Sequence, residues 1–222
     1  MTKNIAIIVC SGIGKRMNSN IPKQFIKIKE KPIICYTIEK FENCSNIDEI
    51  IVVANEEYIE FFKEDIVIKY GYKKITKIVE GGKERLNSVY NGINSVDEKN
   101  SIILIHDGVR PFIEEKDIVN IIKKTMQYDA CVIGVKSKDT IKVCENNIIK
   151  NTPNRDNIWL AQTPQAFKYN IIKKAYDIAI KENRLATDDS SLVEELGYNV
   201  IMIQPNYNNI KITTQEHLKF FK

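Results

Sequence analysis

The stretch that decides the fold is Ile5-Ala6-Ile7-Ile8-Val9-Cys10-Ser11-Gly12-Ile13-Gly14-Lys15-Arg16-Met17. Its first half is a continuous apolar run rich in β-branched residues. Such a run suits a strand buried on both faces of a parallel sheet. Its second half is a loop with two glycines one residue apart, where backbone N–H groups can gather around an anion. Lys15 and Arg16 add positive charge at the same place; Lys15 could equally be a solvated surface lysine. A dinucleotide fingerprint GxGxxG would need glycine where Met17 stands, and no GxxxxGK[ST] spacing occurs. The loop therefore disfavours both an NAD-dependent oxidoreductase and a P-loop nucleotidase.

Further apolar runs follow at residues 50–54, 75–79, 102–106 and 130–135. Between them lie helix-period segments. Leu86, Val89, Tyr90 and Ile93 share one face, as do Ile118, Ile121, Ile122 and Met126. Residues 168–182 turn Ile171, Ile172, Ala175, Tyr176 and Ala179 inward. This alternation predicts an α/β fold with a doubly wound, mainly parallel sheet, Rossmann-like. Residues 1–222 read as a single domain. One segment breaks the rhythm: residues 139–150 read strand, Asn146-Asn147, strand, which is a hairpin signal. A protruding β-arm over residues 137–158 is expected, suited to oligomer contacts or simply an edge hairpin.

Bulk properties narrow the class. The formal charge is only +4 and no basic run stands out, so a nucleic-acid partner is not expected. No apolar run approaches membrane-spanning length, and none resembles a secretory signal. The five cysteines show no CxxC or Cys/His metal spacing, and reduced thiols suit the cytoplasm.

In a doubly wound sheet the ligand sits outside the carboxyl ends of the strands, so the chemistry belongs in the loops there. Pro22-Lys23-Gln24-Phe25 follows the first loop, and Lys23 can reach back toward the same phosphates. Gly81-Gly82 follows the third run, lets backbone approach a flat ligand, and leads into a helix carrying Arg85 and, one turn in, Ser88. The fourth run ends in His106-Asp107-Gly108-Val109-Arg110-Pro111. Asp107 there suits a ribose hydroxyl or a phosphate-bound Mg²⁺, Arg110 a structural ion pair, and His106 a packed position. Thr187-Asp188-Asp189 reads as a helix cap. Residues 209–213 read as a short strand, with Lys211 between two isoleucines. No histidine-based triad is visible.

In order, these segments resemble the sugar-phosphate nucleotidyltransferases. The loop from Gly12 to Met17 with Pro22-Lys23-Gln24 carries that likeness. Gly81-Gly82-x-x-Arg85, His106-Asp107-Gly108-x-Arg110-Pro111, Asp139-Thr140, Arg155, Gln162-Thr163-Pro164-Gln165, Thr187-Asp188 and Asn209-Ile210-Lys211 narrow it. The series is similar to the 2-C-methyl-D-erythritol 4-phosphate cytidylyltransferase family and covers nearly the whole chain. Two departures are Cys10 and Ser11, where alanines are common, and Lys15, where arginine is frequent.

The resemblance implies transfer of CMP from CTP to methylerythritol phosphate in non-mevalonate isoprenoid synthesis, with pyrophosphate released and Mg²⁺ present. It implies that Arg16 and Lys23 are catalytic, stabilising the transition-state charge. It assigns CTP to Ser11, Gly12, Gly14, Lys15, Gly81, Gly82, Arg85, Ser88, Asp107 and Gly108. It assigns the acceptor to Asp107, Thr140, Arg155, Thr187 and Lys211, and leaves the metal's ligands undefined. It implies a homodimer through the arm, with Thr140 and Arg155 reaching the partner's substrate. Gly108-Val109 and Pro153-Asn154-Arg155 also resemble the ribitol 5-phosphate cytidylyltransferases of teichoic acid synthesis. Residues 138–142, Trp159 and residues 187–192 favour the isoprenoid family. A non-catalytic nucleotide-binding protein on the same fold is the different-class alternative.

Overall fold

The computed structural model describes residues 2–12 and 21–221. The chain begins with β1 (Lys3–Val9), then a small ribbon of β2 (Lys27–Ile28) and β3 (Lys31–Pro32), and then α1 (Ile33–Glu42). β4 (Glu49–Ala54) follows, then α2 (Ile59–Phe61), which widens into π-type turns over Phe62–Ile68. Next come β5 (Ile75–Glu80), α3 (Arg85–Asn94), β6 (Ser101–Asp107), α4 (Glu115–Tyr128) and β7 (Ala130–Lys136). β8 (Val143–Glu145) and β9 (Ile148–Asn151) form the arm. The chain closes with β10 (Trp159–Lys168), α5 (Tyr169–Lys181), α6 (Asp189–Glu194) and β11 (Ile201–Ile203).

Seven strands make one sheet in the order β11-β7-β10-β6-β1-β4-β5. β1 pairs in parallel with both β4 and β6, and β4 with β5. β10 runs antiparallel between β6 and β7, and β11 lies parallel to β7. The expected doubly wound, mainly parallel sheet is thus present, with one reversed strand. Connections leave β1 toward β4 on one side, while β6 lies on the other, so the loops after β1 and β6 separate at a topological switch point.

Alternate residues of the central strands feed two apolar layers. Ala6, Ile8, Val52 and Leu104 join Ile38 and Phe41 of α1 and Ile121 of α4. Ile5, Ile7, Val53 and Ile105 join Val89 and Ile93 of α3 and Ile172 and Tyr176 of α5. At Gly92 a Cβ would come within 2.7 Å of Ile7 Cγ2 and 2.9 Å of Val53 Cγ2. The missing side chain lets α3 lie directly on the sheet, which sets where its N-terminus meets the loops.

Several expectations needed correction. β10 was not anticipated as a strand, because a proline inside a central strand removes a ladder donor. The register with β7 shifts between Ala161 and Gln165, so Pro164 sits in the irregularity and owes the ladder nothing. Met126 lies half-exposed rather than inward. β5 is an edge strand of intermediate burial, not a fully buried one. Residues 209–213 form no strand. The arm matches its reading: Asn146 and Asn147 have φ of 48° and 64°, as a primed hairpin turn requires. Both arm strands are exposed along their length. No helix among the described residues is long and apolar enough to cross a membrane.

His106, fully buried near the end of β6, packs against Phe41 with ring centroids 4.9 Å apart. Its Nε2 lies 3.1 Å from the Arg110 carbonyl and its Nδ1 3.2 Å from Thr163 Oγ1. The Asp107 N–H in turn donates to Thr163 Oγ1 at 3.0 Å. One neutral tautomer satisfies the whole chain: Nε2–H donates to the carbonyl, and Nδ1 accepts from the threonine hydroxyl. Burial pushes the ring down to about 4 from 6.5. The unfolded chain therefore takes up this proton first as pH falls, and stability is lost between about 6.5 and 4. From about pH 7.5 to 4.5, wild type should lose about 2 kcal/mol more unfolding free energy than His106→Gln. Urea titrations of both proteins check this; parallel pH slopes would show that His106 carries no such linkage.

Candidate active site

A cleft of about 590 Å³ opens at the carboxyl edge of the sheet, lined from the loops after β1, β4, β5 and β6 and from the segment carrying Lys211. The strand ends are knitted together before any ligand enters. Cys10 N–H donates to the Val53 carbonyl at 2.9 Å, Gly81 N–H to Ala54 at 2.7 Å, and Gly108 N–H to Val9 at 2.9 Å. Gln24 is buried and donates through Nε2 to the carbonyls of Cys10 at 2.6 Å and Gly12 at 3.1 Å. It ties the turn that carries Lys23 to the glycine loop. Gln24 stands in the motif Pro22-Lys23-Gln24 read from the sequence, which gives it no role of its own.

Ser11, Gly12, Lys23, Gly82, Arg85, Ser88, Asp107 and Lys211 all line this cleft. Gly14, Lys15 and Arg16 fall outside the described residues. Gly81 packs tightly beside the cleft, since a Cβ on it would lie 2.4 Å from Ser11 Cβ. Gly108 serves close packing: a Cβ there would meet Ile34 Cδ1 at 2.8 Å and Cys10 Cβ at 2.9 Å. Ser88 is buried, and its hydroxyl accepts from Gly82 N–H at 3.1 Å and from Ser11 Oγ at 2.9 Å. It donates back to the Glu84 carbonyl at 3.0 Å. In this arrangement the hydroxyl holds the Gly81-Gly82 turn in shape with both acceptor sites and its proton engaged. Thr187, Thr140 and Arg155 are exposed and line no part of this cleft. Asn55, at the end of β4, does line it and was not foreseen.

Charge converges on Asp107. Lys211 Nζ and Arg110 Nε each lie 3.0 Å from its Oδ2, and Arg85 Nε 4.0 Å from its Oδ1. Burial would raise this carboxyl, but Lys211, Arg110 and Arg85 together hold it well below the usual carboxylate range. Arg110 also donates to the Asn209 carbonyl at 3.0 Å, which fixes the segment leading to Lys211. Asn209 Nδ2 bonds Gln162 Oε1 at 3.1 Å and the Thr163 carbonyl at 2.8 Å. Lys211 is therefore a placed cation at the cleft wall, not a solvated lysine on a strand. Asp189, read from sequence only as part of a cap, is wholly buried and receives both Arg85 Nη atoms at 2.7 Å.

This arrangement can surround a phosphorylated ligand with placed cations and backbone. Known proteins agree with that chemistry. Residues 4–221 match the family model described as 2-C-methyl-D-erythritol 4-phosphate cytidylyltransferase. The protein of that name from Clostridioides difficile is 50% identical over 96% of this chain and 89% of its own length. One from Clostridium botulinum strain Okra is 48% identical over 98% and 95%. The structure resembles the 4-diphosphocytidyl-2C-methyl-D-erythritol synthase of Anaerococcus prevotii, with TM-score 0.86 and 32% identity over 99% of this chain and 96% of that one. The Francisella tularensis cytidylyltransferase gives 0.84 and 32% over 99% and 98%. A cleft bounded by placed cations and this likeness over nearly the full length agree: the chain belongs to the 2-C-methyl-D-erythritol 4-phosphate cytidylyltransferase family.

Proposed function

We propose that this chain transfers the cytidylyl group of CTP to 2-C-methyl-D-erythritol 4-phosphate, releasing pyrophosphate, in non-mevalonate isoprenoid synthesis. The observation that carries the reading is the convergence of Lys23, Lys211 and the Gly12 and Gly82 loops on one cleft. An acceptor phosphate oxygen attacks the α-phosphorus of CTP. The bond from that phosphorus to the bridging oxygen breaks, and pyrophosphate leaves with the electron pair. The acceptor phosphate is already ionised at neutral pH, so no general base is needed. Catalysis is then positioning and charge stabilisation, the work of Lys23 with Arg16. Gly12, Gly14 and Lys15 attend the triphosphate, and Gly81 and Gly82 the cytidine. Asp107 faces the sugar and Lys211 grips the acceptor, while Thr187, which lines no part of the cleft itself, would reach it from the loop before α6.

Among the described residues no group of three or more His, Cys, Asp or Glu side chains is placed to hold a metal ion. The cleft's buried acid, Asp107, already faces three cations. These side chains do not fit a dedicated Mg²⁺ site. In this reading the ion arrives on the triphosphate oxygens of CTP and is part of the substrate.

The arm completes the reading as the contact of a homodimer. Val143, Ile148 and Ile149 on it are exposed, and a second copy would cover them. Thr140 and Arg155 stand on the arm's limbs, where they would meet the partner's acceptor. The five free cysteines accord with a cytoplasmic location.

Pyrophosphate release with CTP and Mg²⁺ should be faster with methylerythritol phosphate than with ribitol 5-phosphate. Lys23→Ala should lower kcat by about 100-fold or more with melting unchanged. Preference for ribitol 5-phosphate would move the acceptor assignment, and silence with both would return the chain to nucleotide binding. Lys23→Ala and Arg155→Ala proteins, each inactive alone, should recover about a quarter of wild-type activity when subunits are exchanged, because one heterodimer site is intact. A mixture that stays inactive would place Arg155 outside a shared site.

A further inference from the structure

Arg85 lines the cleft at the first turn of α3, three residues after Gly82, and the family likeness gives it to the nucleotide. Its guanidinium is differently engaged. Nη1 and Nη2 bond Asp189 Oδ1 and Oδ2, each at 2.7 Å, in a bidentate fork across 104 residues of sequence. Asp189 is wholly buried and also receives the Tyr176 hydroxyl of α5. The edge of the guanidinium left over by that fork, Nε, faces Asp107 at 4.0 Å. Burial works against the charge on Arg85, but Asp189 more than compensates, so the guanidinium keeps its charge.

Asp189 is the first residue of α6, directly after Thr187-Asp188. That junction is held from its other side as well. Gln165 Nε2 donates to Asp188 Oδ2 at 2.8 Å, and Gln165 Oε1 accepts from Ser190 N–H at 2.9 Å. Thr187 itself is exposed and has no such anchor of its own. Its position follows from where Asp189 is pinned. A buried bidentate arginine–carboxylate pair is rigid in both distance and plane.

We infer that Arg85 is a positioning residue, a strut that fixes the Thr187 loop relative to the Gly81-Gly82 turn through Asp189, and does not bind the nucleotide. This rests on the proposed reaction only for which substrate each end meets. The strut sets how far the Thr187 loop, which does not itself line the cleft, stands from the Gly81-Gly82 turn that does. Its loss should be felt in acceptor use while CTP binding is retained. A shift of about 1 Å between reacting groups is enough to cost about 100-fold.

The test compares Arg85→Lys, Asp189→Asn and the double variant. Calorimetry measures CTP affinity, initial rates separate kcat from the KM for methylerythritol phosphate, and hydrogen exchange without any ligand follows residues 185–192. Each single variant should keep CTP Kd within about 3-fold and lower kcat/KM for the acceptor by about 30- to 100-fold. The double variant should be no worse than either single, since both remove one interaction. Exchange over residues 185–192 should quicken in all three, at unchanged melting of the rest of the chain. A CTP Kd weakened more than about 10-fold by Arg85→Lys and not by Asp189→Asn would make Arg85 a nucleotide ligand and overturn the strut. So would additive defects, unchanged exchange, or a loss of active protein with KM and Kd unmoved. If wild type fails to turn over methylerythritol phosphate, the proposed reaction falls, while affinity and exchange still decide the strut.

Discussion

A carboxylate buried at the end of a central strand has to find cations, and that necessity organises the cleft. Asp107 would be unstable as an ion in an apolar sheet end without Lys211, Arg110 and Arg85 around it. Those three side chains come from the loop after β6, from the segment beyond β11 and from the start of α3. Meeting one carboxylate brings together three pieces of chain that share no local contact in sequence. Neutral His106 contributes to the same junction from beneath, because its Thr163 bond orients the hydroxyl that accepts the Asp107 N–H.

A second constraint lies in the tight backbone around the glycines. Gly81 against Ser11 and Gly108 against Cys10 leave no room for a Cβ. The chain just after β1, β5 and β6 is therefore packed backbone to backbone beside the cleft. Gln24 and Ser88 are the polar pins that hold this wall. Each uses its hydrogen-bonding groups on backbone or on a neighbouring hydroxyl. A wall of this kind suits a substrate whose charge grows during reaction, since fixed dipoles need no reorganisation at the transition state.

Much of the architecture was legible because buried parallel strands write themselves as continuous β-branched runs. β1, β4, β6 and β7 all did so, and the Asn146-Asn147 turn followed from its need for two positive φ angles. β10 was not legible, because Pro164 argues against a central strand until the register shift is seen. The site divided in the same way. Loops after strand ends pointed to Gly12, Lys23, Gly82 and Asp107 through a general rule of α/β sheets. Lys211 gained its meaning from the family likeness alone, since a lysine between isoleucines has no local signal. Asp189 read as a cap residue because capping is local, whereas its partner Arg85 lies 104 positions away.

The same distinction bears on how the cleft divides its work. Residues whose signals were local, the glycines and Lys23, lie where the nucleotide is expected. Residues whose meaning is set by long-range partners, Asp189 and Lys211, lie on the side where the acceptor is expected. The side carrying the glycines is built from a strand, a turn and a helix start, joined to one another by Ser11 with Ser88 and by Gly81 packed on Ser11. The acceptor side has no such unit: Thr187 and Lys211 sit on irregular segments held by buried polar bonds to the sheet and by the apolar packing of Leu192 and Ile212 near them. Those bonds are few and directional, so loss of any one leaves a buried charge or amide unsatisfied. Both sides of the cleft therefore depend on the assembled core: Ser11 meets Ser88 across 77 positions of sequence, as Arg85 meets Asp189 across 104.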